Sequence, residues 1–293
     1  MSTAPPLPRD VALTFAGGGN RAFYQLGLLH HWGERLRPRI AAIAACSAGA
    51  CVATLWLAGR EAQTRSFWRA RRQGVDRNFD WSRLLRGRRP TPHGPIYRDT
   101  LLCAYAEDGL ENIQATPFPV LVVTTAPPPL LPTAVGALLG VSAYNLEKRV
   151  RGDFVHPVLG QRLGFSAHVV DARRCRTAEE LADLVIASSS TPPFTPVGRF
   201  RGRRLLDGGL VDNAPASAAE QVRGVRKNLV LLTRPYAASC IGEQGSRLYV
   251  APTRRVPVEV WDYTRPELID QTIQLGERDA QVHDRSLRRF LVR

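Results

Sequence analysis

Ser47 lies in a short segment whose residue types suit a catalytic nucleophile. The segment reads A-C-S-A-G and ends at Gly49, between an apolar run and a second run that fits a buried helix. A sharp strand-to-helix turn pushes one side chain out above a sheet, and the neighbouring residues must be small for steric reasons. The same turn places a serine at the positive end of a helix, which stabilises its alkoxide. The alternative interpretation is a helix start that Ser47 only caps.

Three consecutive glycines, Gly17, Gly18 and Gly19, form a second candidate site together with Arg21. Glycine lets the backbone approach a ligand closely, and amides at a helix N-terminus favour negative charge. The loop therefore suits either a phosphate group or the oxyanion of an acyl-transfer reaction. A dinucleotide site fits less well, because Ala22 takes the third glycine position and no acidic residue ends the next strand about 20 residues further on.

Asp207 supplies a carboxylate at a third turn, where Gly208 and Gly209 follow it. The glycines permit a turn against another backbone, and a carboxylate at that place can act as a base. The alternative is an ordinary Asp-Gly turn. All three turns follow short strands, so we expect them to converge at one edge of a single sheet.

The elements that must position these turns alternate between apolar strands and helices. Strands are predicted at 11–16, 40–45, 119–125, 164–170, 203–206 and 228–233. Helices are predicted at 22–36, 48–57, 60–72, 97–105, 177–188, 216–222 and 266–290. The helix at 60–72 is expected to be exposed and basic, and 77–95 to be irregular. This alternation predicts an α/β fold with a mostly parallel central sheet and helices on both faces.

The domain organisation follows from the same pattern. We expect a flexible segment at 1–10 and a single domain at 11–293, which ends in a C-terminal helical extension at about 264–293.

The three turns taken together resemble the motifs of the patatin-like phospholipases. The matching stretches are A-G-G-G-N-R at 16–21, C-S-A-G at 46–49, A-S-S-S-T-P-P-F-T-P at 187–196 and D-G-G-L-V-D-N-A-P at 207–215. The resemblance covers roughly 11–215, and the part beyond Pro235 carries no matching motif. One departure is Ala45, which stands where the usual elbow pattern has glycine.

This resemblance implies a serine acyl hydrolase of the phospholipase A or lysophospholipase type, which cleaves carboxylic esters of lipids without a metal or cofactor. It also implies a three-layer architecture related to the α/β hydrolases. Ser47 would be the nucleophile, and Asp207 would be the general base and later the acid. The oxyanion hole would comprise Gly17, Gly18 and Gly19, with the last two donating amides and the first shaping the turn. The supporting motif positions are Arg21, which has a structural or anion-attracting role, and Gly49, Gly208 and Gly209.

The family works without a catalytic histidine, and this imposes a condition on Asp207. An aspartate in water is a poor base near neutral pH, so Asp207 must be partly desolvated, which raises its pKa. None of the histidines lies in one of the motifs; they are His30, His31, His93, His156, His168 and His283. A Ser-His-Asp triad stays open at this point, because triads form in space and not in sequence.

The net charge of the chain bears on which partners it could bind. The chain has 293 residues and a formal net charge of +14, and its cations are nearly all arginine. Such an excess attracts nucleic acid or an anionic lipid surface, or it reflects a composition bias. The arginines are dispersed, with local clusters at Arg69, Arg71 and Arg72 and at Arg83, Arg86, Arg88 and Arg89. Since no nucleic-acid motif accompanies them, we expect no nucleic-acid partner.

The cysteines and the apolar runs bear on location. The five cysteines are odd in number and form no CxxC pair, which favours a reducing compartment over a disulfide framework or a zinc site. The first residues lack a signal-peptide pattern, and no unbroken apolar run reaches ~18 residues. We therefore expect a cytoplasmic protein, peripheral to the membrane; the sequence does not indicate an oligomeric state.

The apolar stretch at 133–146 has two interpretations. It is either a buried helix that covers the sheet or an amphipathic helix that lies on a bilayer near the site, with Lys148, Arg149 and Arg151 touching anionic head groups. A different functional class also stays open. A protein of this fold could bind lipids or partners without catalysis, since Ala45 and the bulky Cys46 depart from the usual elbow.

Overall fold

The computed structural model describes residues 8–82, 87, 91–129, 131, 133–151, 154–192 and 194–292. Its strands are β1 (Val11–Phe15), β2 (Ile40–Cys46), β3 (Val120–Ala126), β4 (Ser166–Asp171), β5 (Gly198–Phe200), β6 (Arg203–Leu205), β7 (Lys227–Leu231), β8 (Gly242–Gln244) and β9 (Arg247–Val250). Its helices are α1 (Phe23–Leu36), α2 (Ser47–Ala58), α3 (Glu61–Arg71), α4 (His93–Tyr105), α5 (Gly109–Gln114), α6 (Thr133–Arg151), α7 (Leu159–Arg162), α8 (Ala178–Ser188), α9 (Ala216–Glu220) and α10 (Glu267–Val292).

The central sheet has seven strands in the order β4-β3-β2-β1-β7-β9-β8. Its middle strands run parallel, while β4 is antiparallel to β3 and β8 is antiparallel to β9. The chain therefore has the predicted α/β fold with a mostly parallel sheet. In the parallel part, β1 and β2 both end at the same edge, where Phe15 pairs with Ala45. This register brings the glycine loop and Ser47 together.

Helices cover both faces of the sheet, and the side chains of the strands explain which helix lies where. Leu13 and Phe15 of β1 belong to a large core with α1, α2 and α8. On the other face, Ala12 and Ala44 pack against Ala219 of α9. Alanine on this face lets a short helix lie close to the strands.

Helix α10 packs tightly against α1. A Cβ atom at Gly27 would lie 2.0 Å from the Ile273 carbonyl oxygen, and one at Gly276 would lie 2.2 Å from that of Tyr24. The Tyr24 hydroxyl donates a hydrogen bond of 3.1 Å to Asp279. The helix that the sequence suggested as a C-terminal extension thus contributes to the same core as the sheet.

Two predicted elements differ from the structure. The strand at 203–206 does not join the central sheet; β6 pairs with β5 in a hairpin, and one bridge between Thr125 and Leu206 joins it to β3. The helix at 60–72 is not wholly exposed, because Thr64, Trp68 and Arg72 are buried. Arg72 donates to the backbone carbonyl groups of residues 262 and 263, which are distant in sequence.

A third difference concerns the start of α4. The helix begins at His93, four residues before the predicted start, and includes Pro95 in its first turn. Proline is tolerated there because the first amides of a helix have no intrahelical partner.

Parts of two further predictions lie outside the described residues. The flexible segment at 1–10 is described only from residue 8, and its last residue, Asp10, is buried and ion-paired with Arg39 at 2.8 Å. The basic cluster formed by Arg83, Arg86, Arg88 and Arg89 also lies outside. In the other basic cluster, Arg69 pairs with Asp270 and Arg71 with Asp99.

Within the part of the chain that the structure describes, no helix has the length and apolarity needed to cross a bilayer. All five cysteines are free thiols.

Candidate active site

The turn between β2 and α2 holds Ser47 in an unusual backbone conformation. Cys46 is extended, whereas Ser47 has a φ of 52°, in the left-handed region that costs a non-glycine residue about 1–2 kcal/mol. The Ser47 amide donates to Ser188 Oγ at 2.8 Å, and Ser188 Oγ donates in turn to the Val123 carbonyl at 2.6 Å. These bonds fix the turn, so that the Ser47 side chain faces a cavity.

Ser47 Oγ donates a hydrogen bond of 2.7 Å to Asp207 Oδ2. The other carboxylate oxygen accepts the Gly209 amide at 2.7 Å, and Thr191 Oγ1 lies 3.4 Å from Oδ2. No other residue in the described part of the chain hydrogen-bonds to this carboxylate. Asp207 is therefore held by one backbone amide and directed at the serine.

The backbone at Asp207 is fixed from two sides. Thr125 and Leu206 exchange backbone hydrogen bonds of 2.9 and 2.8 Å, and Thr125 Oγ1 donates to the Asp207 carbonyl at 2.7 Å. The Asp207 amide donates to the Ser190 carbonyl at 2.7 Å. The motif at 187–196 thus contributes to both the Ser47 turn and the Asp207 turn, through Ser188 and Ser190.

Burial raises the pKa of the Asp207 carboxyl from its usual 3.8 to about 6. Hydrogen bonds from Ser47, Gly209 and Thr191 favour the carboxylate and oppose this shift. The result is a group that is a stronger base than aspartate in water and is still ionised at neutral pH. This is the property that the sequence-based hypothesis required of Asp207.

The glycine loop has two amides that make no hydrogen bond within the described structure, those of Gly18 and Gly19. Both residues line the same cavity as Ser47, and Gly19 has a φ of 56°. The Gly17 amide is already used, because it donates to the Asn213 carbonyl at 2.9 Å. Gly17 is therefore not a free donor, and its contribution to the predicted oxyanion hole is limited to the shape of the turn.

Two further predicted positions need glycine because another backbone lies too close for a side chain. A Cβ atom at Gly49 would lie 2.6 Å from the Phe15 carbonyl oxygen, where α2 starts against the end of β1. A Cβ atom at Gly208 would lie 2.2 Å from the Val123 carbonyl oxygen. These contacts bring the three turns together.

Sequence reasoning missed the segment at 260–263, which forms one wall of the site. The Asn20 amide donates to the Val260 carbonyl at 3.1 Å, and Asn20 Nδ2 donates to the Asp262 carbonyl at 2.6 Å. Trp261 and Tyr263 line the cavity. This segment has no local signature of its own; the one available signal was Asn20, a buried amide in the glycine motif whose partners had to lie elsewhere.

The cavity beside Ser47 has a volume of about 390 Å³. Much of its wall is aromatic, and these residues are Phe23, Trp68, His93, Tyr97, Tyr144, Phe194, Trp261 and Tyr263. Such a lining suits an apolar ligand that is oriented by a few polar groups.

Arg21 lines the same cavity and gives one side of it a positive charge. Burial lowers the pKa of Arg21, and Arg234 lowers it too, whereas Glu259 raises it. The guanidinium nevertheless stays protonated, as arginine does in proteins. Its Nε atom is buried and has no hydrogen-bond partner within the described structure.

The positions of the histidines bear on the alternative of a Ser-His-Asp triad. All six histidines are described, and none hydrogen-bonds to Ser47 or Asp207. His93 lines the cavity, but its Nδ1 atom contacts the Tyr263 hydroxyl, and burial lowers the pKa of His93 to about 4. The described residues also include no His, Cys, Asp and Glu cluster that could hold a metal ion.

Comparisons with known proteins identify the family of the chain. The family model for the patatin-like phospholipases matches residues 13–220, well over half of the chain. Among solved structures, the chain is similar to the crystal structure of VipD from Legionella pneumophila, with a TM-score of 0.44 and 12% identity over 97% of this chain and 68% of that chain. No curated protein matches the sequence. The family match includes Ser47 and Asp207 and ends before the wall at 260–263.

Proposed function

Because the chain belongs to the patatin-like phospholipase family, we propose that it is a serine acyl hydrolase that cleaves carboxylic esters of lipids through Ser47 and Asp207. The observation that carries the proposal is the hydrogen bond of 2.7 Å from Ser47 Oγ to Asp207 Oδ2, beside the unengaged amides of Gly18 and Gly19. Nucleophile, base and oxyanion donors then lie around one aromatic cavity.

In the acylation step, Asp207 Oδ2 accepts the proton of the Ser47 hydroxyl as Ser47 Oγ attacks the ester carbonyl carbon. The carbonyl oxygen becomes an oxyanion, which the Gly18 and Gly19 amides receive. One such donor is worth about 3–4 kcal/mol in the transition state. Protonated Asp207 then gives the proton to the leaving alcohol oxygen, and the acyl group stays on Ser47.

In the deacylation step, Asp207 accepts a proton from water, which attacks the acyl carbon and releases the fatty acid. The proton returns to Ser47 Oγ, so the cycle needs one acid–base group. The Gly209 amide keeps the carboxylate in place in both steps. A pKa of about 6 lets Asp207 accept and return protons near neutral pH.

The charge around the cavity favours phospholipids and lysophospholipids over neutral glycerides. Arg21 stands at the cavity wall, and Arg234 is close enough to affect its pKa. Arg21 is partly buried and its Nε atom has no hydrogen-bond partner within the described structure, so an anionic phosphate group of the substrate would stabilise it.

A hydrolysis panel over lipid classes tests this proposal. Vesicles of phosphatidylcholine and phosphatidylglycerol, lysophosphatidylcholine micelles and a triglyceride emulsion would be incubated with wild type and Ser47→Ala, and released fatty acid would be measured. We expect release from the phosphate-containing lipids by wild type alone. Equal release by both proteins would refute the role of Ser47. No release from any lipid would refute the hydrolase and favour a lipid-binding protein without catalysis.

Helix α6 supports the further proposal that the enzyme works at a bilayer surface. Val141 and Tyr144 line the cavity, while the outward side chains of Leu138, Leu146 and Val150 are 65%, 56% and 75% exposed. The helix therefore carries both exposed apolar side chains and part of the wall of the cavity that holds Ser47. Arg149 is exposed on the same helix, and the net charge of +14 favours an anionic lipid surface.

Replacing Leu138 and Leu139 together by glutamate should weaken vesicle binding at least about tenfold, because each buried leucine contributes about 2 kcal/mol. Sedimentation with phosphatidylglycerol vesicles measures binding, and hydrolysis of soluble p-nitrophenyl butyrate shows that the site is intact. The matched control is Val282→Glu, an exposed apolar residue on α10 that is 66% exposed. Undiminished vesicle binding by the α6 variant would contradict the surface role of this helix.

A further inference from the structure

The catalytic cavity continues along one face of α2. Ser47, Ala48, Cys51 and Val52 line the cavity that holds the dyad. Leu55, one turn further on the same face, lines a second cavity of about 20 Å³. The path from Ser47 to Leu55 along the helix is about 12 Å long.

Four side chains are shared by the two cavities and form the partition between them: Phe23, Cys51, Trp68 and Thr100. The rings of Phe23 and Trp68 are stacked with centroids 5.3 Å apart. We call this set of four residues the partition.

The far cavity offers an apolar surface, because its polar side chains are already paired. Thr64 Oγ1 donates to the Arg60 carbonyl at 2.7 Å, and Thr100 Oγ1 donates to the Ile96 carbonyl at 2.7 Å. Arg65 forms an ion pair of 2.6 Å with Asp270. An alkyl chain in this direction would not leave a polar group without a partner.

Another part of the wall of the Ser47 cavity is polar. It includes Arg21, Tyr144 and Asn145, which do not line the far cavity. A fatty acyl chain against the partly buried guanidinium of Arg21 would desolvate the charge further without replacing its hydration, which is costly. The polar part of the wall therefore suits the head group of an ester substrate, and the α2 path suits its acyl chain.

We infer that the acyl group of the substrate lies along α2, from Ser47 toward Leu55, and that the partition limits its length. This inference rests on the proposed acyl hydrolase function and adds the residues that set its chain-length preference. Phe23 closes the path from the α1 side, and Cys51 is the small residue of α2 that leaves room for the chain.

Two substitutions test the partition in opposite directions. Phe23→Ala opens the path to the far cavity, and we expect the ratio of kcat/KM for p-nitrophenyl palmitate to that for the octanoate to rise about tenfold, which corresponds to burial of about two more methylene groups. Cys51→Leu fills the path and should shift the preference toward the butyrate. Phe200→Ala is the control, because Phe200 is a buried phenylalanine of the core that lines neither cavity.

A binding measurement separates failure of this inference from failure of the proposed function. Displacement of a fluorescent fatty acid by decanoate and by palmitate would be measured for wild type and for the same variants. If the wild type hydrolyses no ester but Phe23→Ala still shifts binding toward palmitate, the hydrolase is refuted and the acyl path stands. If ester hydrolysis persists and neither Phe23→Ala nor Cys51→Leu changes chain-length preference, the inference is overturned.

Discussion

Replacing Ser47 by alanine is expected to lower kcat/KM for ester hydrolysis by at least about 10⁴-fold. The substitution removes the oxygen that lies 2.7 Å from Asp207 Oδ2 and leaves the cavity and the glycine amides in place. Substrate binding should therefore persist, and the small remaining rate should come from the Gly18 and Gly19 amides acting on water attack. Initial rates on p-nitrophenyl butyrate measure the effect.

Labelling by a fluorophosphonate probe gives an independent measurement, because the probe forms a bond only with an activated serine. Wild type should be labelled at Ser47, and Ser47→Ala should not be labelled. Ser217→Ala, at an exposed serine of α9, is the control and should behave like wild type. Retained labelling or hydrolysis in Ser47→Ala would show that another residue is the nucleophile.

Replacing Asp207 by asparagine should lower kcat/KM by a similar factor, at least about 10⁴-fold, because asparagine cannot accept the serine proton.

In wild type, log kcat/KM should rise as the pH passes through about 6, where Asp207 loses its proton. His93 cannot cause this rise of kcat/KM near pH 6, since burial lowers the pKa of His93 to about 4. The rise of kcat/KM near pH 6 should therefore persist in His93→Phe. Its disappearance in that variant would indicate that a histidine is the base.

Asp207→Asn should also stabilise the fold at neutral pH. The pKa of Asp207 is raised from 3.8 to about 6 in the folded protein, so the folded state binds the proton more tightly than the unfolded chain. The free energy of unfolding therefore falls as the pH rises between these values and is about 3 kcal/mol lower above them. Asp207→Asn removes this loss, since a neutral amide keeps the shape of the acid.

Thermal unfolding at two pH values measures the gain. The unfolding temperature of Asp207→Asn should exceed that of wild type at pH 8, with little difference at pH 4. Asp183→Asn, at a surface aspartate that pairs with Arg98, is the control and should show no such gain. Equal unfolding temperatures of wild type and Asp207→Asn at pH 8 would contradict the desolvation of this carboxyl.

The residues of the site could be proposed from the sequence because each turn has a local steric requirement. Gly49 and Gly208 stand where another backbone leaves no room for a Cβ atom. Such constraints leave a trace in the residue types. The parallel sheet followed in the same way, since β1, β2 and β3 are short, apolar and followed by turns or helices.

The remaining parts of the site could not be predicted, because tertiary contacts alone decide them. The segment at 260–263 has no periodic pattern and takes its place through bonds from Asn20 and Arg72, which are distant in sequence. Arg72 was placed on an exposed helix face for the same reason, since its carbonyl acceptors lie about two hundred residues away. The buried surface of α3 became visible only with those partners.

The manner in which the 260–263 segment is anchored has a consequence for how the pocket can change. Asn20 and Arg72 hold this segment by hydrogen bonds to the main-chain oxygens of Val260, Asp262 and Tyr263. Any amino acid supplies such an oxygen, so the partly buried side chains of Val260 and Trp261 can vary while the attachment persists. A randomised library at these two positions would explore new substrate shapes around an unaltered reaction centre, and natural divergence has the same route open to it.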